Sequence, residues 1–316
     1  MSKYKEFDFN NLKKYSAGKR QSKVDIEEFS KVSNVSLSGF IDCIPNILKG
    51  KDLKELIERT VNAYQDKKPL IIGIGGHVIK TGMSPLLIDM MKLGLIKGIC
   101  CNGSVVIHDF EISCFGQTSE DVAQALEDGS FGMASDTCDV INKIVSQGSK
   151  KGLGYGEAVG KYLYENDILN PNLSLLRNAY ELNIPVTVHV AVGTDIVHQH
   201  ETADGAAIGD SSLRDFRIFT NLVSELGEGG VFVSFGSAVI IPEVFLKSLT
   251  VCRNKGFEVR NFTTAVFDMN QHYRPGTNIS YRPVRTSGKG YYFVGHHEIM
   301  IPLFLLSVRE RILCEE

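Results

Sequence analysis

The sequence predicts an α/β protein: one doubly wound, mostly parallel sheet with helices on both faces, preceded by a polar arm. Three observations predict it. Short apolar runs recur and close in glycine, as Pro69–Gly75 and Pro185–Gly193 do, which marks buried parallel strands feeding turns. Stretches with apolar residues three and four apart separate those runs, as βαβ units require. No Pro/Ser linker and no repeat of fixed period divides the chain. Residues 36–316 therefore read as one domain and residues 1–35 as its N-terminal arm.

The arm is rich in Lys, Ser and Asn and reads as surface. From Leu37 to Ala63 the spacing is helical, first at Phe40, Ile44, Ile47 and Leu48, then at Leu53, Leu56, Ile57 and Val61. Pro69–Gly75 is the first strand. Ser84 caps a helix from Pro85 to Leu95, with proline at its first position. Ile96–Cys101 is the second strand, closed by Asn102-Gly103-Ser104. Ser119–Leu126 and Asp136–Val145 read as helices around a loop at Asp128–Gly132. Glycine-rich residues 148–160 read as a link to a helix at Leu173–Leu182. Pro185–Val192 is the third strand, and Thr194–Asp210 a polar loop. Ser211 or Ser212 caps a helix to Leu226. Gly230–Phe235, Val259–Phe267 and Gly290–Gly295 complete the strands. Pro242 starts a helix to Asn254, and Glu298–Leu313 is the last helix.

Composition narrows the class. The chain has 316 residues, 43% hydrophobic and 22% charged, which excludes bulk disorder. A net charge of −3 lacks the basic footprint of a nucleic-acid binder. Seven cysteines with no Cys-x-x-Cys pair argue against a disulfide framework or zinc knuckle and for a reducing compartment. The N-terminus has no apolar signal region and no run of eighteen apolar residues occurs, so a cytoplasmic protein with no membrane contact is expected.

Ligands of open α/β sheets bind beyond the carboxyl ends of the strands. Polar groups gather there in this sequence. Gly75-Gly76-His77 follows the first strand, and Asn102-Gly103-Ser104, then His108-Asp109, the second. Gly193, Thr194, Asp195, His198 and His200 follow the third. Gly236-Ser237 follows the fourth, Thr263-Thr264 lies in the fifth, and the last ends in Gly295-His296-His297-Glu298. Gly73-x-Gly75-Gly76 is not the G-x-G-x-x-G fingerprint, since Val78 stands at its last position. Histidines with carboxylates suit zinc or iron. However, no His-x-x-x-His occurs and adjacent histidines diverge, so no metal site is assigned. Asp215, followed by Arg217, reads as support for its helix start.

In their order, three passages resemble the deoxyhypusine synthase family, its bacterial deoxyhypusine synthase-like branch in particular. The first, Pro69–Val106, runs through IIGIGGHVIK and GICCNGSVV. The second, Asn183–Phe219, contains NIPVTVHVAVGTDIVHQH and Asp215-x-Arg217. The third, Gly236–Leu303, runs from FGSAVIIPEVF through NFTTA to HHEIMIPLF. HDFE and DGSFGMASDT match the bacterial branch. The resemblance implies a Rossmann-type NAD-binding fold and a homotetramer with sites at dimer interfaces. It also implies a small polyamine substrate, whose aminoalkyl group passes to an acceptor amine through an imine. Gly76, His77, Val78, Ile79 and Lys80 fall on the family's first NAD-contacting turn, and Asn102 and Gly103 on its second. Gly236, Thr264, Ala265 and His296 fall on further NAD contacts. Asp195 matches the carboxylate that grips the polyamine, with Glu298 as a second acid. One departure bears on mechanism. The family's catalytic lysine follows a Trp-Gly pair, where this chain reads Tyr281-Arg282-Pro283. Tyr281 takes the place of the aromatic wall, and Lys289 lies six residues past Pro283. Without that lysine, the acceptor amine must attack the imine directly, with His198, His200, His296 or His297 as general base. A protein lysine is then a less suitable acceptor than a small amine. The alternatives are an NAD-binding homologue without catalysis and a metal-assisted hydrolase or lyase.

Overall fold

The computed structural model describes residues 37–315; the polar arm lies outside the described residues. Helices α1 (Leu37–Cys43) and α2 (Leu48–Gln65) replace the single helical stretch read from sequence. Pro45 separates them, since it lacks an N–H and disfavours helix at the residue before it. Leu53, Leu56, Ile57 and Val61 form the buried face of α2, as their spacing predicts.

Six strands follow: β1 (Leu70–Ile74), β2 (Ile96–Cys101), β3 (Val186–Val188), β4 (Val231–Phe235), β5 (Thr263–Asp268) and β6 (Lys289–Val294). All pair in parallel, in the order β3-β2-β1-β4-β5-β6. Every residue of β1, β4 and β5 is buried, which explains why they read as unbroken apolar runs.

Helices α3 (Gly76–Lys80) and α4 (Ser84–Lys92) link β1 to β2. Ser84 is the first residue of α4 rather than its cap. Between β2 and β3 come α5 (Gly103–Phe115), α6 (Val122–Asp128), α7 (Ser135–Lys150), α8 (Tyr155–Glu165) and α9 (Leu175–Glu181). The glycine-rich link is therefore the end of α7, a turn and most of α8. Asp109 is fully buried and faces away from the strand ends. It accepts from Ser174 Oγ (2.7 Å) and from the N–H groups of Leu175 (2.6 Å) and Leu176 (3.2 Å), so it ties α5 to the start of α9.

Helix α10 (Gly205–Ser224) starts six residues before Ser211. Asp204 caps it by accepting from Ala206 and Ala207. Ser211 lies inside it and donates back to Ala207 O at 2.7 Å. Helices α11 (Ile240–Asn254), α12 (Tyr273–Asn278) and α13 (His297–Glu315) complete the chain.

Two cores sandwich the sheet. One joins β-strand residues such as Ile72 and Val233 to α2, α5, α7, α8 and α13. The other packs Ile71, Cys100 and Phe232 against α10 and α11. Phe232 stacks on Phe245 with centroids 4.1 Å apart and planes 2° apart, which fixes α11 on its face.

Strand β3 is an edge strand, and α10 seals it. Asp215 is buried in α10, not at its start. Its Oδ2 accepts the N–H of Val188 (2.8 Å) and of Gly156 (3.0 Å). Ser212 Oγ donates to Val188 O (2.9 Å) and accepts from Val190 N–H (3.0 Å). Beyond Val188 the backbone therefore turns to α10 side chains, and the strand ends before Val192.

Candidate functional site

The sheet order places a topological switch between β1 and β4, because the chain leaves them in opposite directions across the sheet. Gly75 N–H bonds Phe235 O at 3.1 Å, holding the two strand ends together. On the β4 side, Gly236 and Ser237 are both left-handed, with φ of +66° and +69°. That conformation costs a non-glycine residue about 1–2 kcal/mol. Local bonds hold it: Gly236 N–H to Phe267 O (2.9 Å), Ser234 Oγ to Gly236 O (3.2 Å), and Ile241 N–H to Ser237 Oγ (3.1 Å). Strain kept at a sheet's ligand edge is the kind associated with function.

The ring of His297 lies against this turn. A β-carbon on Gly236 would stand 2.9 Å from His297 Cε1. His297 is buried, and its Nε2 faces Phe267 O at 3.4 Å. A carbonyl only accepts, so Nε2 carries the proton of the neutral ring. Nδ1 is then a buried acceptor without a hydrogen-bond partner among the described residues. Burial lowers the His297 pKa. The His77 ring is 5.6 Å away. Gly236→Ala should therefore cost stability by at least the left-handed penalty of about 1 kcal/mol and displace His297. Thermal denaturation and the His297 imidazole resonances would check this.

A second group stands at the end of β2. Asn102 occupies the N-cap of α5, and Ser104 Oγ donates to Asn102 Oδ1 at 2.9 Å. A β-carbon on Gly103 would overlap Asp195 Oδ2, so the carboxylate rests on the first turn of α5, where the helix dipole favours an anion. Asp195 has no Lys or Arg ion-pair partner among the described residues. Burial raises its pKa, and His198 opposes this. The site therefore favours a cation there and disfavours a phosphate.

Asp195 also opens a short 3₁₀ turn, Ile196–Gln199, in a reciprocal cap with His198. His198 Nδ1 accepts the N–H of Gly193 (3.2 Å) and of Asp195 (3.3 Å). With Nδ1 accepting, the ring proton sits on Nε2, which is buried without a hydrogen-bond partner among the described residues. His198 therefore shapes the turn as an acceptor, and its Nδ1 lone pair is not free for the general-base role expected from sequence.

Other expected residues scatter. His77 and Lys80 are exposed on α3, whereas Val78 and Ile79 are fully buried in the core, so their side chains offer nothing to a ligand. His296 is exposed just before α13 and Glu298 is exposed on its first turn, with His296 Nδ1 3.9 Å from Glu298 Oε1. Thr264 and Ala265 are buried below the carboxyl end of β5, and Thr264 Oγ1 donates to Ile279 O at 2.9 Å. Tyr281 is 57% exposed but precedes β6, where Ser280 O crowds Gly290. It stands at the amino end of the sheet and does not meet Asp195 in one chain. Lys289 opens β6 at the same end, with Nζ 3.7 Å from Glu55 Oε2, so it does not replace the missing lysine. Among the described residues, no three His, Cys, Asp or Glu converge on one metal position. His200 faces Asp139 Oδ1 (3.1 Å) and Gly132 O (2.9 Å) instead.

Cavity size does not follow this chemistry. A cavity of about 480 Å³ lies beside β3 near its amino end, lined by Tyr164, Tyr180 and Pro185. A groove of about 380 Å³ runs between α10 and α11 past His189. Neither is lined by the Gly76, Asn102, Asp195 and His297 groups. We place the candidate site at the switch-point crevice, where strained backbone and unpartnered polar groups coincide.

No protein-family model matches the chain, and no curated protein matches it. Solved structures do. AgrE in ternary complex with ornithine and NAD+ superposes with a TM-score of 0.55 at 11% identity, over 84% of this chain and 33% of AgrE. The chain thus spans about a third of that protein. A conserved protein assigned to LOR/SDH from Methanococcus maripaludis S2 gives 0.50 at 15% identity, over 90% of this chain and 73% of that one. A protein assigned as a deoxyhypusine synthase from Entamoeba histolytica gives 0.50 at 9% identity, over 91% and 96%. The likeness is one of fold: an α/β architecture with a six-stranded, all-parallel sheet among the described residues, similar to that of these solved structures. Among the described residues no helix is long and apolar enough to cross a membrane.

Proposed function

We propose that the protein is an NAD-dependent enzyme that oxidises a polyamine beside a nitrogen and passes the aminoalkyl group to a small acceptor amine. The unpaired Asp195 carboxylate carries this reading, because it suits an ammonium and lies one strand from the switch-point crevice. Support comes from AgrE, whose complex holds NAD+ and an amine-bearing ligand, ornithine, on a fold of the same kind.

NAD would lie along the rim of the crevice. Gly76 and Gly236 are buried, with Ser104 Oγ and the His297 ring packed where their β-carbons would stand. Lys80 is an exposed cation and His77 an exposed hydrogen-bonding group for a diphosphate, and His297 Nδ1 has no hydrogen-bond partner among the described residues. When bound, NAD supplies a two-electron acceptor. This chain's residues do the rest. Asp195 fixes one ammonium, Asn102 and Gly103 border it, and Glu298 offers a second acid at the rim. The segment Tyr281-Arg282-Pro283 contains no lysine, so the acceptor amine adds directly to the imine carbon. Tyr281 can wall such a site only from a second copy, which agrees with a homotetramer sharing sites between protomers. A cytoplasmic location suits seven cysteines that form no disulfide among the described residues. The absent lysine also favours one rival, a homologue that binds NAD without turnover.

Mixing the protein with NAD and spermidine, putrescine or agmatine should yield reduced nicotinamide and a new polyamine on chromatography. Binding of NAD with no product from any amine would leave the rival standing. Asp195→Ala should weaken amine binding by about thirtyfold or more, since truncating one partner of a buried charge pair costs about 2 kcal/mol or more. NAD affinity should stay within about twofold; equal loss of both would point to a folding role.

A further inference from the structure

We infer that His108 is the catalytic base of this site, held by Thr118 and Glu111 with Nε2 turned to the crevice as a proton acceptor. The inference rests on the amine-oxidising reading above. Its geometry stands independently. His108 Nδ1 lies 2.7 Å from Thr118 Oγ1. Thr118 gives its only hydroxyl proton to Glu111 Oε2, and Glu111 Oε1 accepts from Thr137 Oγ1 at 3.1 Å. Thr118 must therefore accept from His108, which puts the ring proton on Nδ1 and leaves Nε2 with a free lone pair. The Nε2 side of the ring faces the β1 turn: Cδ2 stands 3.1 Å from where a β-carbon on Gly76 would be.

Helix α5 carries both this base and the contact of the ammonium clamp. Asp195 rests on Gly103, and His108 lies five residues on, about 7.5 Å along the axis and about 140° around it. An amine anchored on Asp195 has to bend around the first turns of α5 for its next nitrogen to reach Nε2. A bound nicotinamide dinucleotide would supply the oxidant, taking the hydride from the carbon and being reduced. The nitrogen lone pair closes the C=N bond, and the N–H proton passes to His108 Nε2. Thr118 and Glu111 are positioning residues.

Burial first, then the nearby cations Lys80 and His77 on α3, hold the His108 pKa down to about 4. Thr118 and Glu111 face the ring from the other side. The ring is therefore neutral and able to accept a proton at neutral pH. A diphosphate on Lys80 would offset the cationic share and raise the pKa toward its ordinary range.

The test pairs two readouts. In ¹⁵N-imidazole spectra, His108 should be the Nδ1–H tautomer between about pH 5 and 8, Thr118→Val should shift population to Nε2–H, and NAD should raise its pKa. An Nε2–H tautomer in the unaltered protein overturns the proposal, whatever the activity. In amine-dependent NAD reduction, His108→Ala should lower kcat about a hundredfold or more with KM within about threefold, and added imidazole should restore part of the rate. A His108→Ala protein with kcat within about threefold of the unaltered protein overturns the base role alone. If the unaltered protein reduces no NAD with any amine, the amine-oxidising reading fails and the base role falls with it.

Discussion

Asp215→Ala should destabilise the protein by about 2–6 kcal/mol, because it leaves two N–H groups unpaired at about 1–3 kcal/mol each. Asp215 is nearly fully buried, and its Oδ2 holds Val188 of β3 and Gly156 of α8 at once. The glycine beside it has no room for an alternative, since a β-carbon on Gly154 would overlap Asp215 Oδ1. Chemical denaturation would measure the loss, and a change under about 1 kcal/mol would refute this role. A pH dependence should accompany it. Burial pushes the Asp215 carboxyl up to about 7 from an ordinary value of 3.8, with the Gly156 and Val188 N–H groups opposing. A raised carboxyl contributes stability that is fully present below its unfolded pKa and lost as pH rises through its folded one. Asp215→Asn does not titrate, so its deficit against the unaltered protein should be largest near pH 4 and shrink toward pH 7.

Gly103→Ala should remove amine binding without removing the fold. The new methyl would occupy the space of Asp195 Oδ2 and push the carboxylate off the first turn of α5. Alanine suits a helix better than glycine by about 1 kcal/mol, so the melting temperature should hold or rise. Amine affinity should fall about as far as in Asp195→Ala, roughly thirtyfold or more. Calorimetric titration with spermidine, beside a thermal melt, separates the two effects. Retained amine affinity would show that Asp195 does not hold the ammonium.

Much of the sheet was legible because parallel burial leaves a plain trace. The runs at Ile71–Ile74, Ile96–Cys101 and Val231–Phe235 are buried on both faces but for Lys97, so they show no polar alternation. Residues 259–262 fell outside that logic: Val259 and Phe262 are core, yet the chain reaches β5 only at Thr263. The glycine-rich stretch 148–160 was misread because Gly156 and Gly160 work as close-packing positions, against Val186 O and Leu176 O, rather than as linker. At the site, sequence grouped His296 with His297, but His296 is the exposed residue before α13, whereas His297 opens the helix and packs under Gly236. Tyr281 was misplaced for a topological reason: residues just before a parallel strand arrive at its amino end. His108 was visible after the Asn-Gly turn, but its partner Thr118 lies beyond the end of α5, and no spacing rule joins them.

The way α10 closes β3 has a bearing on how copies of the chain can meet. An edge strand normally offers N–H and C=O groups that recruit a stranger's strand. Here Val188 has both of its outward groups occupied, one by Asp215 and the other by Ser212. Strand addition on this side would first have to strip those bonds, so extension of the sheet into a shared or fibrillar ladder is blocked there. Contact between copies on that flank must be made through helix surfaces.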